Sequence, residues 1–181
     1  MHFAAVFLNV EHRRADIVNA RAGAERAGGA MGSFEIDISM QCSISDDREA
    51  ARRAAKRPAA QGILWMAGAE RYSRQRTDWQ RPRGFNVPEN VVQALATWDF
   101  WTQPHLPAEL ADLITDDVLD QFALAGTPEE CAARLRGLKR DLPQITSVRL
   151  YTIPPAGKPR FAGYLEMIVP LERLIRLTRA A

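Results

Sequence analysis

Cysteine and histidine are scarce in this sequence, with two cysteines and three histidines among 181 residues. Two cysteines cannot supply a disulfide framework or the repeated ligand pairs of a structural zinc site. The histidines are scattered along the chain, at positions 2, 12 and 105. We therefore expect no metal centre. We also expect Cys42, in a predicted strand, and Cys131, in a predicted helix, to be reduced and buried thiols.

The sequence also lacks the signatures of several large functional classes. It contains no Gly-x-Gly-x-x-Gly motif, no phosphate-binding Gly-Lys-Ser/Thr loop and no nucleophile elbow around a serine. No apolar run approaches the roughly 20 residues of a membrane helix. The apolar start, residues 3–8, lacks the basic flank and cleavage site of a signal peptide. A formal net charge of +2 predicts no nucleic-acid or membrane surface. These absences predict a cytoplasmic protein.

The clearest strand runs from residue 34 to residue 44, where apolar and polar residues alternate. One face is apolar throughout, and the other carries only Glu35, Asp37, Ser39, Gln41 and Ser43. In a β/α barrel the apolar face would meet helices and the polar face would line the lumen. Gln41 and Ser43, at the carboxyl end of the strand, would then lie where barrels bind substrate or cofactor. The alternative is a polar face that is exposed to solvent.

The remaining pattern predicts helices, with one further strand on each side of that central segment. Hydrophobic residues make up 46% of the chain, enough for the core of a single domain over residues 1–181. The order β-α-β-α-loop-α-α-α-β-α is typical of a parallel α/β fold. The predicted strands cover residues 3–10, 34–44 and 145–153. Helices are predicted over residues 12–27, 87–101 and 108–124. Another predicted helix is capped by Asp46 and ended or kinked by Pro58, and the next is capped by Thr127. The last predicted helix covers 160–179 and is interrupted at Pro170.

Two aromatic and basic segments are candidates for binding. Arginines and aromatic residues concentrate in 71–85, where they could hold an anionic group beneath an aromatic lid: Arg71, Tyr72, Arg74, Arg76 and Trp79. The alternative is a solvated loop with no ligand. Trp98, Phe100 and Trp101 have helical spacing, which favours a core or an interface over a cofactor platform.

Three segments together resemble one known family. They are VNARAGAERAG at residues 18–28, FEIDISMQCSISDDREAARRAA at 34–55 and LAGTPEE at 124–130. Their order and spacing, over residues 16–153, resemble the C-terminal half of luciferase-like monooxygenases. The branch most similar is the deazaflavin-dependent one, the methylene-tetrahydromethanopterin reductase-like proteins. The resemblance implies a (β/α)8 barrel that binds FMN or the deazaflavin coenzyme F-420 at the carboxyl ends of its strands. It also implies hydride transfer, or flavin reduction followed by oxygen insertion, on a small-molecule substrate, with residues 71–85 as part of the pocket wall.

The chain is short for such a barrel, which has eight strands and typically about 250 residues. Three predicted strands correspond to the last few β/α units of a partial (β/α)8 TIM barrel, with a helical insertion. We therefore expect a truncated form, arising from a true truncation or from a misplaced start codon. Such a chain would need a homodimer or another partner to complete the barrel. The alternative is a degenerate, non-catalytic relative that acts as a dimerisation or interaction module through the aromatic stripe on helix 87–101.

Overall fold

The computed structural model describes residues 2–3, 9–29, 36–67, 84–156 and 159–179. These ranges contain four strands and eight helices. The strands are β1 (His2–Phe3), β2 (Ile36–Ile44), β3 (Ala123–Gly126) and β4 (Ile145–Thr152). The helices are α1 (Val10–Arg26), α2 (Arg48–Met66), α3 (Glu89–Leu95), α4 (Ala108–Asp112), α5 (Asp116–Leu119), α6 (Pro128–Asp141), α7 (Arg160–Glu166) and α8 (Ile168–Arg179). Their order along the chain is β1-α1-β2-α2-α3-α4-α5-β3-α6-β4-α7-α8.

All four strands form one parallel sheet, and β2 is its central strand. Gln41 and Cys42 pair with both β3 and β4, so these two strands lie on opposite edges of β2. β1 pairs with Asp37 and Ile38, which β4 also pairs, and therefore shares the β3 edge. The predicted parallel α/β class is confirmed. In a complete barrel successive strands are neighbours, whereas here β2 lies between β3 and β4.

The apolar face of β2 packs against helices, as the alternating pattern predicts. Five side chains on this face are buried: Ile36, Ile38, Met40, Cys42 and Ile44. Their cluster includes Ile17 of α1, Cys131 and Leu138 of α6, and Leu174 of α8. The burial of large aliphatic side chains is the main favourable contribution to the folding of this layer.

A second apolar cluster lies on the other face of β3. Ala123 and Ala125 belong to it, together with residues of α2, α3 and α5, whereas Leu124 belongs to the cluster beneath β2. Alternate side chains of a strand point to opposite faces, so the two clusters are separated by the sheet. Ser43 pairs with Ala125 in the register and therefore lies on the same face as the α2 cluster.

The junction between β3 and α6 is set by local sequence. Thr127 caps α6 by accepting from the amide of Glu130, and the Glu130 carboxylate accepts from the amide of Thr127 at 3.0 Å. This capping box is the one that Thr127, Pro128 and Glu130 predict. Gly126 has φ +144°, and a Cβ there would collide with the Glu130 side chain. Only glycine fits this turn without strain.

Three other predictions are wrong in detail. Residues 108–124 are not one helix, because α4 and α5 are short and Ala123–Gly126 is a strand that pairs with β2. The cap of α2 is Asp47, whose carboxylate accepts from Ala50 at 3.0 Å, and not Asp46. α2 also does not end at Pro58, because buried residues on both sides of the proline hold the helix in place; a kink there stays a prediction.

The last helix is interrupted at Met167 and not at Pro170. Pro170 falls in the first turn of α8, where backbone amides have no partner within the helix. A proline in this position therefore removes no helical hydrogen bond. The break comes instead where α7 ends, and it leaves two short helices after β4.

Candidate functional site

The polar face of β2 is extended by three polar residues of β4. The register pairs Asp37 with Ser147, Ser39 with Arg149, and Gln41 with Tyr151. Paired residues of parallel strands point to the same side of a sheet, so these side chains form one continuous surface. We call this surface the polar face, and it consists of Asp37, Ser39, Gln41, Ser43, Ser147, Arg149 and Tyr151.

Asp37 orders the part of the polar face near the amino ends of the strands. Its carboxylate accepts from the Ser147 hydroxyl at 2.9 Å and from Arg149 Nη2 at 3.2 Å. Arg149 is largely exposed, so the ion pair contributes at most about 1 kcal/mol to stability. Its effect is mainly to fix the guanidinium group over the sheet, beside Tyr151 on the same strand.

Exposure changes sharply along the polar face. Tyr151 is 47% exposed and its neighbour Gln41 is half-buried. Ser39 is buried, and Ser43 is 0% exposed with no hydrogen-bond partner for its hydroxyl among the described residues. The solvent-exposed interpretation is therefore wrong for Ser39 and Ser43. A ligand could reach Gln41 and Tyr151 directly, whereas the Ser43 hydroxyl is enclosed on the α2 side of the sheet. The role of Gln41 and Ser43 in a pocket stays a prediction.

The basic and aromatic candidates have different outcomes. Arg71, Tyr72, Arg74, Arg76 and Trp79 lie outside the described residues, and their proposed role stays a prediction. Trp98 is buried in the α2 cluster, and its indole Nε1 donates to the carbonyl of His105 at 3.2 Å. Trp101, in contrast, is exposed. Of this aromatic group, Trp98 is thus a core residue.

An arginine network joins the carboxyl end of β3 to the starts of α2, α5 and α6. It consists of Arg48, Arg52 and Arg134 with Asp116, Asp120 and Glu130. Arg52 is almost fully buried and donates to Asp116 Oδ1 at 2.7 Å, to Asp120 Oδ1 at 3.0 Å and to the carbonyl of Ala125 at 3.0 Å. Sequence reasoning did not identify this network, because Arg48 and Arg52 lie 64 to 82 residues from their carboxylate partners in it and no local pattern marks them.

The charges of the network balance one another. Burial alone would raise the pKa of Asp116, but hydrogen bonds from Arg48 and Arg52 outweigh it and lower that pKa below its usual value. Nearby, Arg173 of α8 bridges Asp46 at 2.7 Å and Glu129 at 2.9 Å. Since the helix starts at this edge are capped and neutralised by the chain's own side chains, the network is structural and presents no ready anion site.

A cavity of about 620 Å³ lies on the opposite side of the sheet, between α6, β4 and α8. Val148 and Leu150 line it, and they pair with Ile38 and Met40 on the apolar face. The cavity is thus separate from Gln41 and Tyr151. Within the described ranges no group of three or more His, Cys, Asp or Glu side chains is placed to hold a metal ion. None of the described helices has both the length and the apolar character needed to cross a bilayer.

Comparisons with known proteins agree on the fold. The family model described as luciferase-like monooxygenase matches residues 1–143. Among solved structures, the chain is similar to the coenzyme F420 dependent tetrahydromethanopterin reductase from Methanopyrus kandleri, with a TM-score of 0.53 and 18% identity. That match covers 93% of this chain and 44% of the reductase chain, so the chain spans less than half of that protein. No curated protein matches the sequence. The architecture is a partial barrel of the luciferase-like type.

Proposed function

Because the chain belongs to the luciferase-like monooxygenase family, we propose that it forms one wall of a flavin- or deazaflavin-dependent oxidoreductase. The family match over residues 1–143 is the observation that carries this proposal. The name of the F420 dependent reductase, whose fold the chain shares, favours the deazaflavin coenzyme F-420 over FMN. The substrate would be a small molecule. A cytoplasmic location stays a prediction.

The polar face supplies the residues that would contact a bound ring. Gln41 offers an amide and Tyr151 a phenol, side by side on paired strands and within reach of solvent. Arg149, held by Asp37, would face a negatively charged part of a ligand. Ser43 does not fit a direct contact, because its hydroxyl is enclosed. When bound, the flavin or deazaflavin would carry the electrons, while these residues would orient the ring and limit access of water.

The described residues provide only one side of such a pocket, so the proposal includes a partner. Among the described strands β4 pairs with β2 alone, and its other edge is unpaired. Large apolar side chains are exposed on α7 and at the start of α8, and we call them the C-terminal apolar surface: Phe161, Leu165, Ile168 and Val169. Unpaired edges and contiguous apolar patches mark association sites. A second copy of the chain, or another chain that completes the barrel, would cover them.

Light scattering after size exclusion tests the partner. We expect an assembly larger than the 20.2 kDa monomer, and a stable monomer at micromolar concentration would contradict a homodimer. The variant Phe161→Asp should weaken the assembly, whereas Arg53→Ala, at an exposed position on α2, should not. If the wild-type chain is monomeric, copurification from the source cells would test a heterologous partner.

Fluorescence titration of the assembled protein with FMN and with F-420 tests the cofactor. We expect quenching or a spectral shift at micromolar concentrations of one cofactor. Gln41→Ala and Tyr151→Ala should weaken binding at least tenfold, while Ser147→Ala, on the same face but further from the carboxyl edge, should have a smaller effect. An assembled protein that changes neither spectrum at high micromolar concentration would contradict the oxidoreductase proposal.

One observation favours the alternative of a non-catalytic interaction module. The Ser43 hydroxyl, at the end of the strand where a barrel would hold its ligand, is fully enclosed on the α2 side. A relative that has lost catalysis would retain the fold and the C-terminal apolar surface without an open pocket. Assembly together with a complete lack of cofactor binding would support this alternative over the enzyme.

A further inference from the structure

The cavity between α6, β4 and α8 has an apolar floor and open apolar walls. Leu138, Ile145 and Leu174 are buried and form its floor. Val148 and Ile175 line its sides, and they are 37% and 46% exposed. Its volume of about 620 Å³ falls within the range of small-molecule pockets, roughly 300 to 1,000 Å³. We call it the basic groove, for the charges described next.

Three cationic side chains of α6 line the groove: Arg136, Lys139 and Arg140. Arg136 donates to the carbonyl of Leu177 at 3.1 Å, and Lys139 donates to the carbonyls of Pro143 at 3.2 Å and Ile145 at 2.6 Å. Among the described residues neither has a carboxylate within salt-bridge distance. Cations near the carboxyl end of a helix interact favourably with the helix dipole. That interaction explains the presence of these cations, but it does not explain why they lie beside an open apolar cavity.

Four arginines elsewhere in the fold differ in this respect, although Arg57 of α2 also donates to a backbone carbonyl, that of Pro104 at 2.7 Å. Arg48, Arg52, Arg134 and Arg173 all pair with carboxylates. Among the described side chains, Arg140 pairs only with its exposed neighbour Asp141. The groove is therefore a place where positive charge is held in position by backbone carbonyls and is not neutralised by the described side chains. An anion with an apolar body would satisfy both features.

We propose that the basic groove binds an anionic amphiphile, a molecule with a linear apolar chain and a single anionic head. The chain lies on the floor formed by Leu138, Ile145 and Leu174 and is covered by Val148 and Ile175. The head accepts hydrogen bonds from Arg136 and Lys139, which are already oriented. The site is on the other side of the sheet from Gln41 and Tyr151, so it does not depend on the proposed oxidoreductase function.

Calorimetry with dodecanoate, below its micelle concentration, tests the site on the full chain. We expect saturable binding of one molecule per chain. The double variant Arg136→Gln/Lys139→Gln should weaken binding at least tenfold, and Ile175→Glu should abolish it. Arg53→Gln removes an exposed charge from α2, away from the groove, and should leave binding unchanged. Dodecanol, which keeps the chain without the charge, should bind at least tenfold more weakly than dodecanoate.

Several results would overturn the proposal. One is an absence of dodecanoate binding at millimolar concentration. Another is equal binding by the wild type and by the Ile175→Glu variant, with loss of binding in Phe161→Asp, which would place the ligand on the C-terminal apolar surface. A third is association with vesicles of anionic phospholipid without binding of dodecanoate, which would indicate a membrane contact. Far-ultraviolet circular dichroism checks that each variant is folded, and the salt dependence of wild-type binding tests the charge without any substitution.

Discussion

The two edges of β2 differ in how completely the neighbouring elements bury apolar side chains and pair charges. On the β3 edge, α2, α3 and α5 bury a continuous apolar cluster, and the arginine network pairs its charges. On the β4 edge, α7 and α8 leave large apolar side chains in solvent, and β4 has one unpaired edge among the described strands. The β3 side is thus packed by the chain's own helices, whereas the β4 side is a surface whose exposed apolar residues would be explained by contact with another chain.

Two phenylalanines provide the sharpest test of this contrast. Phe122 is 1% exposed in the α2 cluster, and Phe161 is 77% exposed on α7. Phe122→Ala should lower the free energy of unfolding by about 3–5 kcal/mol, because it removes a buried ring and leaves a cavity. Phe161→Ala should change it by less than about 0.5 kcal/mol. Urea unfolding at a concentration where the protein is monomeric measures both. Equal losses would show that the two sides are equally packed.

Arg52 and Arg53 are adjacent residues with opposite environments. Arg52 bonds to Asp116, Asp120 and the carbonyl of Ala125, whereas Arg53 is exposed. Arg52→Ala removes these hydrogen bonds and should cost about 2–3 kcal/mol. The cost is less than for a fully buried pair because both carboxylates are partly exposed and keep Arg48 and Arg134 as partners. Arg53→Ala should be neutral within about 0.5 kcal/mol. Denaturant unfolding measures both variants, and a loss in Arg53→Ala as large as in Arg52→Ala would refute the structural role of the network.

The acid stability of the protein should depend on the β3 side. Hydrogen bonds from arginines lower the pKa of Asp116 in the folded state despite its partial burial. A carboxyl group whose pKa is lowered by folding stabilises the protein above its unfolded-state pKa, near 4, and loses this effect as the pH falls through the folded-state value. The free energy of unfolding, measured from pH 7 to pH 2, should therefore decrease once the pH is lower than about 4. Asp116→Asn should be less stable at pH 7 and should show a smaller decrease, and an unchanged acid limb would contradict this assignment.

The smallest effect should be seen at the two thiols beneath β2. Burial raises the pKa of Cys42 and of Cys131 to about 12, so almost no reactive thiolate exists at neutral pH. A thiol reagent such as DTNB should leave the native protein unmodified for hours and should react with both cysteines in denaturant. Cys42 is paired with Thr152 of β4. Rapid labelling of Cys42 alone would mean that the β4 side opens without the rest of the fold.

Sequence reasoning succeeded where the signal was local or periodic. The Thr127–Glu130 capping box needs only four consecutive residues, and the alternation of β2 places its apolar face correctly. It failed where pairing decides the structure. Ala123–Gly126 has little strand propensity and forms a strand because β2 lies beside it.

The site was only partly predictable for the same reason. Gln41 could be selected from the polar side of one strand, but Arg149 and Tyr151 join it only through the register between β2 and β4. A comparison of the two alternating patterns could have suggested that they share a face. The enclosure of Ser43 could not be read from the sequence, because it depends on the strand order, which brings β3 and the α2 cluster to that side.

The position of β2 at the centre of the sheet has a consequence for synthesis of the chain. Its partners in β4 lie 110 residues further along, as in the contact of Thr146 with Ile36. During translation the apolar face of β2 leaves the ribosome long before the segments that will bury it. Strand pairings of such long sequence separation form slowly, and the incompletely folded chain is prone to aggregate in the meantime. We expect the nascent protein to be a client of chaperones until residue 152 has left the ribosome.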